Sequence, residues 1–177
     1  MVGFLIRACL GLGMVSIAGA GVVFVSVYRH YSRDLPTIQG LTDYRPATKS
    51  LVFGADGILV GRFGQTNRTV VSLHDMPDHL VHAFVSAEDR RFFSHPGVDW
   101  WATARAFVAN TVAGRTVQGA STLTQQVCKS IVGGERSYTR KIREAILARR
   151  LETILTKSEI LTIYLNEIYL GSGAYGV

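Results

Sequence analysis

The sequence lacks most features that identify the common classes of soluble enzyme. It has only two cysteines in 177 residues, Cys9 and Cys128, and Cys9 lies in a long apolar stretch, so no disulfide framework is expected. It contains no Walker-type phosphate loop and no serine nucleophile elbow. The five histidines are scattered, and the close pair His79 and His82 has no third ligand at a suitable spacing. A metal centre is therefore not predicted.

Charged residues are also missing from one long stretch, residues 8–28. As an α-helix it would rise about 31 Å, which matches the ~30 Å hydrocarbon core of a bilayer. The alternative is a cleaved signal peptide, because Arg7 precedes the stretch and Ala18-Gly19-Ala20 resembles a cleavage site. Apolar residues continue past that site to Val27, so an uncleaved transmembrane anchor is predicted. Positive charges flank both ends and do not fix its orientation.

The rest of the chain is long enough for one domain and is basic. The formal net charge is +6, and residues 129–157 alone hold eight Lys or Arg against three Glu, a local excess of +5 (8 − 3). This excess favours an anionic partner, whether nucleic acid, phospholipid or a phosphorylated substrate.

Composition divides the chain into four segments. They are a short N-terminal tail (1–7), the anchor (8–28), a linker with a small extended region (29–75) and a mainly α-helical domain (76–177). Within the linker, two β-rich runs at 50–53 and 58–63 flank the glycine-containing turn 54–57, which predicts a β-hairpin.

One face of the first predicted helix of the domain combines apolar residues with a glutamate, at the spacing i, i+4, i+7 and i+8: Leu80, Phe84, Ala87 and Glu88. This spacing predicts that Glu88 shares the buried face. Burial penalises the charged form of a carboxylate and makes it a stronger proton acceptor, so Glu88 is a candidate general base. The alternative is a structural glutamate at a helix end, paired with Arg91 or Arg105.

Four further helices are predicted. The first covers about 100–112, and the second starts after a small-residue turn with the capping box Thr122-x-x-Gln125. The third covers about 138–155. The fourth starts with the capping box at 156–159 and continues to Gly171.

The start of the helix after Thr122 is a candidate anion site. Free backbone N–H groups at a helix start favour anions such as phosphate, and Lys129 lies seven residues after Thr122 on the same face. Most capped helix starts bind nothing, so this signal is weak by itself.

The helix at 138–155 carries a second candidate group. Arg140 and Glu144 extend an apolar stripe that continues through Leu147, Leu151 and Ile154, which predicts that they face a cleft. The alternative is an exposed i, i+4 ion pair. Two helix-borne glutamates, Glu88 and Glu144, are typical of glycosyl chemistry.

Together the motifs resemble those of the peptidoglycan glycosyltransferase family. They are Glu88-Asp-Arg-x-Phe-x-x-His95-x-Gly97-x-Asp99, Gly119-Ala-Ser-Thr-Leu-Thr-Gln-Gln-x-x-Lys129, Arg140-Lys141-x-x-Glu144-Ala145 and Lys157-x-x-Ile160-Leu161-x-x-Tyr164-Leu165-Asn166-x-Ile168-Tyr169-x-Gly171. The resemblance covers about 41–177. It is closer to bifunctional class A penicillin-binding proteins than to monofunctional transglycosylases at Tyr44, Pro46, Asp56-Gly57 and Asn67-Arg68.

The resemblance implies a lysozyme-like helical fold that polymerises lipid II into β-1,4 glycan, with inversion at the donor anomeric carbon and release of undecaprenyl pyrophosphate. Glu88 would be the general base and Glu144 a second catalytic glutamate. The implied substrate-binding residues are Asp89, Phe92, His95, Ser121, Thr122, Gln125, Gln126, Lys129, Arg140, Lys141 and Asn166. The resemblance does not imply a required cofactor. It is compatible with a divalent cation such as Mg²⁺ bound at the pyrophosphate.

The implied partners are lipid II, the growing glycan strand, the membrane and cell-wall synthesis proteins, with no nucleic acid. The implied location is the bacterial cytoplasmic (inner) membrane, crossed once, with the catalytic domain on the outer side. The family continues beyond Val177 with an arginine-containing fifth motif, so we expect an incomplete domain of low activity.

Two alternatives stay open. A lysozyme-like or lytic enzyme would share the fold but would not need Lys129, Arg140 and Lys141. A non-enzymatic membrane-anchored protein could use the basic region to bind nucleic acid or anionic lipid. Trp100 and Trp101 are predicted to pack in the core rather than at a membrane interface.

Overall fold

The computed structural model describes residues 2–33, 35, 50–64, 69–133 and 137–177. Tyr44, Pro46 and Asn67-Arg68, which contributed to the family resemblance, lie outside the described residues. The chain forms two compact units, residues 1–35 and residues 36–177.

The first unit is a single long helix, α1 (Val2–Ser32). It begins at Val2 and therefore includes most of the predicted N-terminal tail. Its segment Gly13–Ser32, with a mean hydropathy of 1.2, is long and apolar enough to cross a membrane by length and composition. This segment overlaps the stretch 8–28 that the sequence indicates.

The second unit begins, among the described residues, with the predicted hairpin. Strand β1 (Ser50–Phe53) pairs antiparallel with β2 (Leu59–Phe63). In the turn, the Asp56 carboxylate accepts a hydrogen bond from the Ile58 N–H at 3.0 Å. Gly57 adopts a φ of +77°, which glycine tolerates without the steric penalty that a Cβ would bring. The turn chemistry therefore explains the hairpin.

The remainder is mainly helical, as predicted. Its elements are α2 (Asp78–Glu88), α3 (Trp100–Ala113), α4 (Leu123–Val132), α5 (Tyr138–Leu151), α6 (Lys157–Glu167), β3 (Tyr169–Gly171) and β4 (Ala174–Tyr175). Both predicted capping boxes are present, at the starts of α4 and α6.

Two helices end earlier than predicted. Helix α5 stops at Leu151 because the chain tightens into turns, in which the N–H of Thr153 donates to the carbonyl of Arg150 at 3.0 Å. Helix α6 stops at Glu167 because Ile168 is extended and leads into the short hairpin of β3 and β4, which the sequence did not predict.

Helices α4, α5 and α6 enclose the core. Their fully or almost fully buried apolar side chains are Leu123, Val127, Leu147, Leu151, Ile160, Leu161 and Leu165. Phe92, in a short 3₁₀ turn after α2, is completely buried in the same cluster. Burial of one such side chain contributes about 1.5–3 kcal/mol. The core therefore fixes the segment after Glu88 against the helices that carry the other site residues.

The buried face of α2 agrees with the prediction only in part. Val85 is buried, with Leu80, Val81 and Phe84 packed against the core, whereas Ala87 and Glu88 are exposed. The placement of Glu88 on the buried face was therefore wrong. The helix ends at Glu88, and its last residue faces solvent instead of the core.

Helix α3 also contradicts a prediction. Trp100 and Trp101 are 68% and 74% exposed, so they do not pack in the core. The only buried residue of this helix is Ala106. The exposed side chains of α3 include five large apolar residues, Trp100, Trp101, Phe107, Val108 and Val112. This apolar surface has no cover among the described residues.

Candidate active site

A cleft of about 450 Å³ brings most of the predicted site residues together. Its walls come from the end of α2, the first turns of α4 and α5, and the loop before α4. The lining residues are Glu88, Gly119, Ser121, Gln125, Gln126, Lys129, Ser137, Arg140, Lys141 and Glu144. Gly119, which begins the second motif, and Ser137 are the two that were not among the predicted site residues.

Glu88 lies at the mouth of this cleft. Gln126, one turn into α4, donates a hydrogen bond from Nε2 to Glu88 Oε2 at 2.8 Å. Arg91 pairs instead with Asp99, at 3.2 Å, so the alternative of a Glu88–Arg91 ion pair is not realised. The carboxylate is accessible to solvent and is oriented by a neutral amide, which leaves its charge available to a ligand in the cleft.

Opposite Glu88, Glu144 holds two cations. Its side chain is fully buried, with Oε1 2.9 Å from Arg140 Nε and Oε2 2.8 Å from Lys141 Nζ. The Arg140 side chain is only 11% exposed, so the i, i+4 pair is not the weak surface pair of the alternative reading. Because both carboxylate oxygens are engaged, Glu144 orients the two cations.

The capped start of α4 completes this wall. The Thr122 hydroxyl accepts a hydrogen bond from the Gln125 N–H, and the Gln125 side chain accepts one from the Thr122 N–H. Lys141 Nζ also donates to Ser121 Oγ at 3.0 Å, which ties α5 to the loop before α4. Lys129, two turns along α4, is exposed and lines the same cleft. The cleft holds three cations and two carboxylates, a balance of +1 (3 − 2).

Asp89 and His95 lie beneath the cleft rather than on its lining. The Asp89 carboxylate is buried, accepts from His95 Nε2 at 2.9 Å and accepts from the Leu123 N–H at 3.1 Å. It therefore joins the segment after Glu88 to the start of α4. An N–H at a helix start has no partner within the helix, and a carboxylate there is favourable.

Phe92, Thr122 and Asn166 are also buried supports. Phe92 belongs to the core, and the Thr122 hydroxyl donates to the Gly97 carbonyl at 2.6 Å. The Asn166 amide exchanges two hydrogen bonds with the backbone of Val71, at 2.8 and 2.9 Å. The structure therefore places these predicted substrate-binding residues behind the cleft wall.

A second cavity, of about 260 Å³, adjoins the first. It is lined by Gln126, Val127, Lys129, Ser130, Tyr164, Glu167, Ile168 and Tyr169. Gln126 and Lys129 line both cavities. Burial, and then the negative charge of Glu88, raise the pKa of Tyr164 to about 12. The charge of Glu88, the candidate base, therefore acts on the hydroxyl of Tyr164 in α6.

Glu144 is not free to bind a divalent cation, because both of its oxygens are bound to cationic side chains. A Mg²⁺ ion at a bound pyrophosphate would therefore rely on Glu88, the other carboxylate of the cleft, and on phosphate oxygens. Within the part of the chain that the structure describes, no group of three His, Cys, Asp or Glu side chains could hold a metal. The reaction derived below assigns no step to a metal.

Comparison with known proteins identifies the family of the chain. Penicillin-binding protein 1A of Neisseria cinerea is 40% identical over 99% of the chain, and that of Aquifex aeolicus (strain VF5) is 42% identical over 98%. The chain spans 22% and 23% of the length of these relatives. The family described as Transglycosylase matches residues 56–177, a range that starts inside the β1–β2 hairpin, earlier than the predicted start of the domain at 76. The chain therefore belongs to the transglycosylase family, as its four motifs indicated.

Proposed function

We propose that this chain carries the glycosyltransferase site of a peptidoglycan polymerase, which joins lipid II units into β-1,4 glycan and releases undecaprenyl pyrophosphate. The observation that carries this proposal is the position of Glu88 in one cleft with Lys129, Arg140 and Lys141. A base and an anion-binding cluster are the two components that displacement of a pyrophosphate by a sugar hydroxyl requires.

In the proposed reaction, Glu88 removes the proton from the 4-hydroxyl of the acceptor sugar. The hydroxyl oxygen attacks the donor anomeric carbon and forms the new C–O bond. The bond between that carbon and the pyrophosphate oxygen breaks, and the pyrophosphate leaves with the electron pair. Gln126, through its hydrogen bond of 2.8 Å, orients the base during proton transfer.

The cations stabilise the leaving group. Lys129 is exposed and Lys141 is about half exposed, so both can contact an anion in the cleft. Charge-assisted hydrogen bonds to phosphate oxygens are roughly twice as strong as neutral ones. Glu144 fixes Arg140 and Lys141 before the substrate arrives, and such preorganisation lowers the cost of stabilising the developing charge.

Glu144 also bears on the stereochemistry. A retaining mechanism requires a second carboxylate that attacks the anomeric carbon. Glu144 is fully buried and both of its oxygens are paired, so it is not placed to act as a nucleophile. A single displacement assisted by Glu88 inverts the configuration, which agrees with the proposed β-1,4 product.

The cations of the cleft favour transfer over hydrolysis. Enzymes that cleave a glycan and enzymes that extend one both bind sugars on each side of the reacting bond, so two adjoining cavities suit either class. The two cavities meet at Gln126 and Lys129, next to Glu88. The three cations of the first cavity supply the pyrophosphate contacts that a lytic enzyme does not need.

We further propose that the chain acts at the outer face of the bacterial cytoplasmic membrane. The apolar segment Gly13–Ser32 supplies an anchor of suitable length. Exposed Trp100 and Trp101 on α3, with the nearby basic side chains of Arg91 and Arg105, form an amphipathic surface typical of membrane interfaces. A substrate tethered to the membrane by an undecaprenyl chain would require this location.

Incubation with fluorescent lipid II tests the proposal. Two forms are compared: this chain alone, and a chimera in which it replaces the matching segment of the Aquifex aeolicus relative. We expect a ladder of glycan products from at least the chimera, digestible by a muramidase. Absence of polymer from both forms, or release of single disaccharide units by water, would overturn it.

A further inference from the structure

A partly buried polar network lies behind the cleft, away from its lining. At its centre, Lys157 Nζ donates to both oxygens of Glu152 at 2.7 Å and to the backbone carbonyl of His95 at 2.7 Å. The same ammonium group lies 4.4 Å from the centroid of the Phe92 ring, a distance that suits a cation–π interaction. Lys157 thereby holds the segment that directly follows Glu88 and Asp89.

Glu152 connects this lysine to a second element of the site. It follows the last residue of α5, its side chain is only 7% exposed, and its Oε1 accepts a hydrogen bond of 2.6 Å from Thr124 Oγ1. Thr124 lies in the first turn of α4, two residues before Gln126. The ion pair therefore bridges the segment after the candidate base and the helix that carries its hydrogen-bond partner.

The position of Lys157 in its own helix is unfavourable without this network. It is the first residue of α6, where the helix dipole presents partial positive charge and disfavours a cation. Its charge does not serve the stability of α6 itself. The contacts with Glu152 and His95 explain why a cation lies there.

We propose that Lys157 and Glu152 are positioning residues for Glu88, an inference that rests on the proposed glycosyltransferase function. The pair fixes the 89–99 segment against α4 and so sets the distance between Glu88 and Gln126. Neither residue lines either cavity, and neither touches the reacting groups. Their effect is on the rate of proton removal rather than on the binding of lipid II.

The test uses Lys157→Met, Lys157→Arg and Thr124→Val in the form of the protein that polymerises lipid II. Thr124→Val removes only one hydroxyl and leaves the ion pair intact, so it remains informative even if Lys157→Met does not fold. Matched controls are Arg62→Met, on the exposed strand β2, and Thr162→Val, whose hydroxyl bonds within its own helix. Kinetics are measured well below the thermal midpoint of every variant.

We expect Lys157→Met to lower kcat on the order of tenfold or more, because small displacements of catalytic groups are costly. Thr124→Val should lower kcat less, Lys157→Arg should recover part of the loss, and KM should change less than threefold. Combination of Lys157→Met with Gln126→Ala should lower kcat by less than the product of the single effects, because both changes disturb the same base.

This design distinguishes failure of the proposed function from failure of the positioning role. If the unsubstituted protein forms no polymer, the proposed function fails. If it does form polymer while Lys157→Met and Thr124→Val lower only the thermal midpoint and keep kcat within twofold of the controls, the positioning role is overturned. Strict additivity with Gln126→Ala would also overturn it.

Discussion

Glu88 and Glu144 illustrate how two carboxylates in one cleft acquire different roles. Glu88 ends α2, is exposed and receives one hydrogen bond from a neutral amide. Glu144 lies in the middle of α5, is completely buried and is paired with two cations. A buried carboxylate is tolerated only when its charge is compensated, so Glu144 depends on Arg140 and Lys141 as much as they depend on it.

Replacement of Glu144 by Gln should therefore destabilise the fold as well as the site. The amide cannot compensate two cations, and loss of one partner of a buried pair costs about 3 kcal/mol or more. Urea unfolding of the variant measures this loss. Asp75→Asn is the control, because the Asp75 side chain is 69% exposed and its charge should contribute little. Equal stability of the two variants would contradict the role assigned to Glu144.

At this scale the sequence predicted some site residues for the right physical reason and missed others. The stripe was correctly predicted to face inward over Glu144, Leu147 and Leu151, which are buried and follow helical spacing. It was wrong at Ile154, which lies beyond the end of the helix and is 50% exposed. Glu88 was misplaced, because periodicity does not show where the last turn of a helix leaves the core. The Lys157–Glu152 contact links residues five apart on either side of the turn between α5 and α6, a spacing that helical periodicity does not indicate.

At the scale of the elements, capping chemistry explains the starts of α4 and α6. Each begins after a threonine whose hydroxyl accepts a hydrogen bond from the backbone N–H of the third helical residue. The side chain of that residue, Gln125 or Glu159, accepts a hydrogen bond from the backbone N–H of the threonine. These signals are local, so the sequence predicts them. The end of α6 involves a partner outside the helix, the Val177 N–H that donates to the Leu165 carbonyl at 3.0 Å, whereas α5 ends in local turns that no glycine or proline marks. Local pattern therefore could not place them.

The capping box of α6 predicts a dependence of stability on pH. Hydrogen bonds from the Thr156 backbone N–H, and then from its hydroxyl, lower the pKa of Glu159 below its ordinary value of 4.5. Because the pKa of Glu159 is lower in the folded state than in the unfolded state, its ionised carboxylate stabilises the protein above pH 4.5. This stabilisation is lost as the pH falls through the pKa of the folded state. Thermal midpoints between pH 7 and pH 3 should fall less for Glu159→Gln than for the unsubstituted protein. If the thermal midpoints of the two proteins fall by the same amount between pH 7 and pH 3, this prediction is contradicted.

The exposed face of α3 makes a second prediction. Trp100 and Trp101 are the only two tryptophans of the chain, so intrinsic fluorescence reports on this helix alone. In vesicles containing anionic phospholipid, their emission should shift to shorter wavelength and be quenched by brominated acyl chains. Quenching of the Trp100→Phe and Trp101→Phe single variants should identify which ring lies deeper. Emission that is quenched only by aqueous acrylamide would show that α3 does not meet the membrane.

At the scale of the whole molecule, an apolar helix and a basic unit that contains the candidate active site occur in one chain. The mainly helical class, the long apolar N-terminal helix, the hairpin and the family were all predictable, because long apolar runs, turn glycines and ordered motifs are strong sequence signals. The exposure of α3 and the two adjoining cavities were not, since they depend on how the helices of the second unit pack. The central claim that joins these features is that Glu88 acts as the base for glycan transfer.

The most direct test of that claim is the rate of undecaprenyl pyrophosphate release by Glu88→Gln in the polymerising form. Loss of a general base typically lowers the rate by about 10²–10⁴-fold. We expect a loss in this range, with lipid II binding and the thermal midpoint unchanged, while the matched control Glu159→Gln keeps full activity at pH 7. Polymerisation by Glu88→Gln at the rate of that control would contradict the account.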